Sequence, residues 1–216
     1  MRMFLMCATA LGTLSFVAQP AYAQEQPSVT VSASVDSAYI FPRQAFLVDD
    51  EASLYHAGIS YEHDSWSLAV DGYRYGEDGA LEEIDATFST SASCGMFTCG
   101  LTLAWWRTPT EDIGDVQLSI GGGDLVTWEL IYEHQEGETY ATDIGALELA
   151  TELLALDLSG GISYDADADG SQVYGRVERP FEFGGLSITP AIYGYQPLDG
   201  DRDSAFAFGV STAYTF

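Results

Sequence analysis

The feature that most constrains this chain is a period of two. Apolar side chains recur at every second position in runs of roughly ten residues, from Ser28 to the last residue. Val29, Val31, Ala33 and Val35 alternate with Ser28, Thr30, Ser32, Ser34 and Asp36. Leu101, Leu103 and Trp105 alternate with Thr102 and Ala104, and Val126, Trp128, Leu130 and Tyr132 with Thr127, Glu129 and Glu133. The final run sets Phe206, Phe208, Val210, Tyr214 and Phe216 against Ala205, Ala207, Gly209, Ser211, Ala213 and Thr215. Successive side chains of a strand point to opposite faces, so each run has one apolar face and one polar or small face. A soluble sandwich shows the same pattern with its apolar face inward. Run length favours a bilayer instead, because a tilted spanning strand needs about 9–11 residues. Aromatic residues also gather at the run ends, as in the two interfacial girdles of a membrane barrel: Tyr39 and Phe41, Trp66, Tyr73 and Tyr75, Trp105 and Trp106, Tyr164, Phe181 and Phe183, Tyr193 and Tyr195, Tyr214 and Phe216. Unpaired strand edges in lipid cost several kcal/mol per group, so such a sheet must close on itself. The expected fold is all-β, a transmembrane antiparallel up-and-down β-barrel.

The connections alternate in character. One set is acidic and longer: Phe41 to Ala52, Gly76 to Ala80, Thr108 to Asp115, Gln135 to Glu138, Asp165 to Gly170 and Gln196 to Asp203. The other is short: His63 to Ser65, Ser93 to Phe97, Gly121 to Asp124, a turn near Ala150 to Glu152, and Phe183 to Gly185. Long outer loops and short periplasmic turns give about 12 strands with both termini periplasmic. Ten is the alternative, since Ile113 to Ile120 and Tyr140 to Leu149 alternate least clearly; in the second, Ile144 and Ala146 compete with Leu147 and Leu149 for the outward face.

Residues 1–23 read as a signal peptide: Arg2, an apolar stretch from Met3 to Val17, then an A-x-A site at Ala21-Tyr22-Ala23. Residues 24–216 form the single barrel domain. Export implies an oxidising compartment, and Cys94 and Cys99, with Gly95 between them, are expected to form a local disulfide across a turn. The chain carries 33 acidic residues against 7 basic ones, all Arg, for a formal net charge of −26. That balance repels phosphate and excludes nucleic acid as a partner.

The ending Ala213-Tyr214-Thr215-Phe216 resembles the C-terminal signature of outer-membrane barrels, in which a terminal Phe and an aromatic two residues earlier are recognised by the barrel-assembly machinery. The opening Val29-Thr30-Val31-Ser32-Ala33-Ser34-Val35-Asp36-Ser37-Ala38-Tyr39 is similar to the first strand of TorF-type porins. Those proteins commonly continue with an Arg-containing turn and Gly, whereas this chain has Ile40-Phe41-Pro42-Arg43 and no Gly. The chain as a whole resembles small porin-like proteins of the Gram-negative outer membrane. The resemblance implies that location, a bilayer and lipopolysaccharide as surroundings, and small solutes as cargo.

The alternation places Asp71, Glu83, Asp85, Glu129, Glu133, Asp157, Arg176 and Glu178 on the inward face. Seven acids and one Arg there would concentrate cations and exclude anions. The function expected is a porin-like channel for cations or small cationic and neutral solutes. A packed interior filled by Tyr73, Trp106, Tyr174, Tyr193 and Tyr195 would instead make a structural or adhesive barrel without transport. An outer-membrane hydrolase is a third class. The chain is not expected to be an enzyme, because His56, His63 and His134 form no nucleophile–base–orienter pattern and no G-x-S-x-G occurs. No cofactor is expected beyond a weakly bound calcium: Asp165, Asp167 and Asp169, followed by Gly170, match the first half of a calcium loop, while Arg176 stands where a full loop needs its bidentate Glu.

Overall fold

The computed structural model describes residues 27–37, 39, 40, 43, 48, 49, 53–75, 83–139, 141–167, 170–198 and 204–216. The signal-peptide segment lies outside them. Among the described residues, twelve long strands run antiparallel around a ring: β1 (Ser28–Asp36), β2 (Leu54–His63), β3 (Trp66–Tyr75), β4 (Glu83–Cys94), β5 (Phe97–Arg107), β6 (Asp112–Gly122), β7 (Thr127–Gly137), β8 (Ala141–Leu153), β9 (Leu156–Asp165), β10 (Gly170–Glu178), β11 (Leu186–Pro197) and β12 (Ala205–Thr215). Each strand pairs with its chain neighbours, and β1 pairs with β12 from Thr30↔Thr215 to Asp36↔Gly209, which closes the ring. The larger of the two strand counts therefore holds. Apart from that closing seam the order is set by pairing between chain neighbours, the up-and-down topology that alternating loops and turns dictate.

β10 breaks at Arg179 and Pro180 and resumes as Phe181–Phe183. The register against β11 does not slip, since Glu178 faces Ala191 and Phe181 faces Ile188. Between them the Arg179 amide donates to the Pro190 carbonyl at 3.2 Å. Pro190 has no N–H to return.

The period-two pattern sorts the two faces. Leu68, Leu103, Leu118, Leu130, Ile162 and Phe208 point outward and are 43–63% exposed. Glu83, Asp85, Glu133, Gln135, Asp165 and Gln172 point inward and are at most 1% exposed. This is the inverse of a soluble core, and it suits a hydrocarbon surround. In β8 the competition resolves cleanly: Leu147 and Leu149 face out, while Ile144 and Ala146 are buried inside.

At the turn end, Cys94 and Cys99 are joined by a disulfide with Cα atoms 5.9 Å apart, around a turn in which Gly95 takes φ 79°. The β8–β9 turn is not near Ala150 to Glu152. It lies at Leu154-Ala155, with φ of 55° and 61° and Leu153 facing Leu156. Two positive φ values match the twist of a two-residue hairpin, a geometry usually given to Asn-Gly. Ring register imposes it on residues that carry no turn signal. At the loop end, the β5–β6 connection is shorter than the acidic stretch from Thr108 suggested. β6 begins at Asp112, and Asp115 turns into the barrel at 3% exposure.

Two substitutions test this geometry. Leu103→Arg is expected to lower stability in a bilayer by about 2–4 kcal/mol, read from denaturant titration of the lipid-inserted protein. Ala155→Gly, which removes a strained positive φ, is expected to raise it by about 0.5–1 kcal/mol in the same assay.

Candidate functional site

The interior is built from one row of side chains per strand. Every residue assigned to it from sequence lies on an inward-facing position: Glu83, Asp85 and Glu133 are buried, while Asp71, Glu129, Asp157, Arg176 and Glu178 are half-buried. Tyr73, Trp106, Tyr193 and Tyr195 also point inward and are at most 7% exposed, so these four are not girdle residues. Burial is graded along the axis. Trp106, Ile113, Ile144, Gln135 and Gln172 pack the loop-end half below 2% exposure. Ser93, Ser159 and Thr215, on the inward rows near the turn end, are exposed.

The residue that sequence reasoning missed is Arg43, in the connection between β1 and β2. Its backbone is left-handed, with φ 79°. Its guanidinium enters the barrel, Nη1 donating to Gln117 Oε1 at 2.9 Å and to Glu133 Oε2 at 3.1 Å, with Nε 3.3 Å from Glu148 Oε1. Ser163 Oγ donates to the Arg43 carbonyl at 2.8 Å, and Tyr174 OH donates to Glu148 Oε1 at 2.7 Å. The Gln135 amide donates to the other oxygen of Glu133. One loop residue is thereby bonded to β6, β7, β8 and β9, and through Glu148 to β10. Burial works against the Arg43 charge, but Glu133 and Glu148 more than offset it and hold its pKa above the ordinary value. The sequence signal was a single Arg in a long acidic loop of a chain with few cations.

Other carboxylates are placed by glycine. Asp36 faces Gly209 across the β1–β12 seam, and a Cβ there would collide with the Asp36 carboxylate. Asp71 leans over Gly58 in the same way, and its Oδ1 lies 2.6 Å from His56 Nε2. Arg176 Nε donates to Glu178 Oε2 at 2.7 Å. His134 and Tyr132 meet Asp143 on the outer face, Nδ1 at 2.9 Å and OH at 2.7 Å from its Oδ1.

The calcium-loop residues divide. Asp165 turns inward, where its Oδ1 accepts from Thr142 Oγ1 at 2.7 Å and from the Asp167 amide at 3.1 Å. Asp169 lies outside the described residues. At the turn end Tyr214 and Phe216 stack edge to face at 4.8 Å, and the Phe216 amide donates to the Val29 carbonyl.

A closed ring of twelve antiparallel strands, apolar outside and polar inside, defines the class of small porin-like barrels. No family model and no curated protein sequence matches the chain. Solved structures do. The KdgM porin aligns with a TM-score of 0.66 at 8% identity, over 87% of this chain and 99% of that one. The COG4313 outer membrane channel from Pseudomonas putida F1 aligns at 0.60 and 8% identity, over 92% and 99%. The Acinetobacter baumannii outer membrane protein Omp33 aligns at 0.52 and 7% identity, over 88% and 98%. At these identities the likeness is one of fold.

Arg43→Ala is expected to destabilise the barrel by about 3 kcal/mol, because it removes the cation paired with the buried Glu133. Adding Glu133→Gln is expected to recover most of that loss in the same denaturant titration.

Proposed function

We propose that the chain is a narrow porin-like channel in the outer membrane of a Gram-negative bacterium, selective for cations or small cationic and neutral solutes. The observation that supports it is the charge balance on the inward rows. Carboxylates stand on β1, β3, β4, β6, β7, β8, β9 and β10, against Arg43 and Arg176, each of which is already paired with glutamate. Fixed like charges along a low-dielectric wall raise the local concentration of counter-ions. One structural neighbour is a KdgM porin in complex with disordered oligogalacturonate. That ligand is a polyacid, and a wall of this charge would repel it, so the neighbour's cargo does not carry over with its fold. On this reading the partners are bilayer lipid, lipopolysaccharide bridged to the acidic loops by divalent cations, and the assembly machinery at Tyr214 and Phe216.

A second reading, a structural barrel without transport, is favoured by the dense packing of the loop-end half. Reversal potentials in planar bilayers under a KCl gradient separate the two. The expected result is conductance with cation preference, reduced by joint Glu129→Gln and Asp157→Asn substitution. Anion preference would overturn the proposal, and insertion without conductance would select the structural barrel.

A further inference from the structure

The three most exposed large apolar side chains among the described residues are not on the wall. They are Met96, Leu125 and Leu154, at 85%, 89% and 87%, and each sits at the tip of a turn. The three turns, β4–β5, β6–β7 and β8–β9, follow one another around one side of the ring. Their reversals are made by Gly95, Gly123 and Leu154 at positive φ. A turn in water is ordinarily polar, so three apolar tips in a row need a surround.

The height of the wall says what that surround is. On the outer face the loop end is marked by the Arg107–Asp112 and His134–Asp143 pairs. Below them the outward row is uncharged down to the turns: from Trp105 to Phe97 on β5, from Tyr132 to Val126 on β7 and the residue before it, and from Tyr164 to Leu156 on β9. At about 3.3 Å per residue and a tilt of about 40°, these rows are roughly 20, 15 and 20 Å tall, against the apolar band of about 25 Å that such barrels present. From Phe206 to Phe216, along β12 and the terminal residue, the row alone reaches roughly 25 Å. The apolar tips thus stand where the wall is short, and they continue it: Phe97, Val126 and Leu153 next to them are exposed on the same face.

The backbone of the turns is suited to scarce water as well. Thr151 Oγ1 reaches across to donate to the Leu125 carbonyl at 2.7 Å, and Thr127 Oγ1 donates to the Ala150 carbonyl at 3.3 Å. Wall hydroxyls therefore take carbonyls that water would otherwise serve.

We infer that Met96, Leu125 and Leu154 form a lipid-binding rim, seated in the headgroup–acyl boundary of the phospholipid leaflet on the periplasmic side. The surface is continuous with the lipid-facing wall and supplies the height that β5, β7 and β9 lack. Asp124, exposed beside Leu125, fits the headgroup level and not the acyl core. The β2–β3 turn, with Asp64 at its tip, has no such side chain and serves as the internal comparison.

The test uses the full-length chain carrying Cys7→Ser, with the Cys94–Cys99 disulfide left oxidised. Leu125→Cys, Leu154→Cys, Leu103→Cys and Asp64→Cys are introduced singly, labelled with a nitroxide and folded into dioleoylphosphatidylcholine vesicles. Power saturation then compares collisions with oxygen, which concentrates among acyl chains, and with a nickel chelate, which stays in water. The ratio of oxygen to nickel collisions at Leu125→Cys and Leu154→Cys is expected to exceed that at Asp64→Cys several-fold and to approach that at Leu103→Cys in the wall. In a second measurement, joint Met96→Ser, Leu125→Ser and Leu154→Ser substitution is expected to lower the urea midpoint of unfolding in 18-carbon bilayers and to leave it unchanged in 12-carbon bilayers, which the short wall spans unaided. Nickel collisions at the tips equal to those at Asp64→Cys overturn the rim. Tips shielded from both reagents overturn it too, since a second copy of the chain would then be the cover. So does a midpoint that falls equally in both bilayers, or in neither. If the triple variant does not fold, the labels decide. Neither readout depends on conduction, so the rim and the channel stand or fall separately.

Discussion

The structure depends on one constraint: every backbone donor and acceptor in a spanning strand has to find its partner within the wall. Water is absent from the hydrocarbon, and an open edge would leave a row of N–H and C=O groups unpaired. The pairing of β1 with β12 meets that demand. Once the ring is closed, the alternation of side chains is no longer a matter of packing preference. Apolar residues have the bilayer to face, and everything small or polar is left to share the interior. The acidic chain and its apolar exterior are thus two outcomes of one sorting rule.

The interior has its own conflict to settle. Carboxylates collected on the inward rows repel one another, and the chain offers few cations against them. The resolution is local. Arg43 comes in from a loop to tie Glu133 and Glu148, Arg176 is held beside Glu178, and His56 sits against Asp71. Glycines at 58 and 209 give Asp71 and Asp36 room to lie flat against the wall.

Fold class and two-faced strands were legible because both follow from a period of two, which needs no knowledge of distant contacts. The β8–β9 turn was not legible. Leu154 and Ala155 have no preference for positive φ, and only the register of Leu147 against Ile162 and its neighbours puts the reversal there. Arg43 was invisible for the opposite reason. Its loop alternates nothing, and its meaning arises only when β6 to β9 stand around it. The aromatic residues at run ends were half legible: Trp105 faces out and Trp106 in, and a period-two pattern cannot say which member of such a pair belongs to the interface.

The seam between β10 and β11 carries a consequence for how the wall yields. The register is continuous, yet Pro190 receives a bond from Arg179 and cannot send one back. A cask with a peg missing from one joint springs there first. Sideways parting of the staves at that joint breaks one bond fewer than an intact ladder of the same length, and it would open the hollow to the surrounding acyl chains rather than to water.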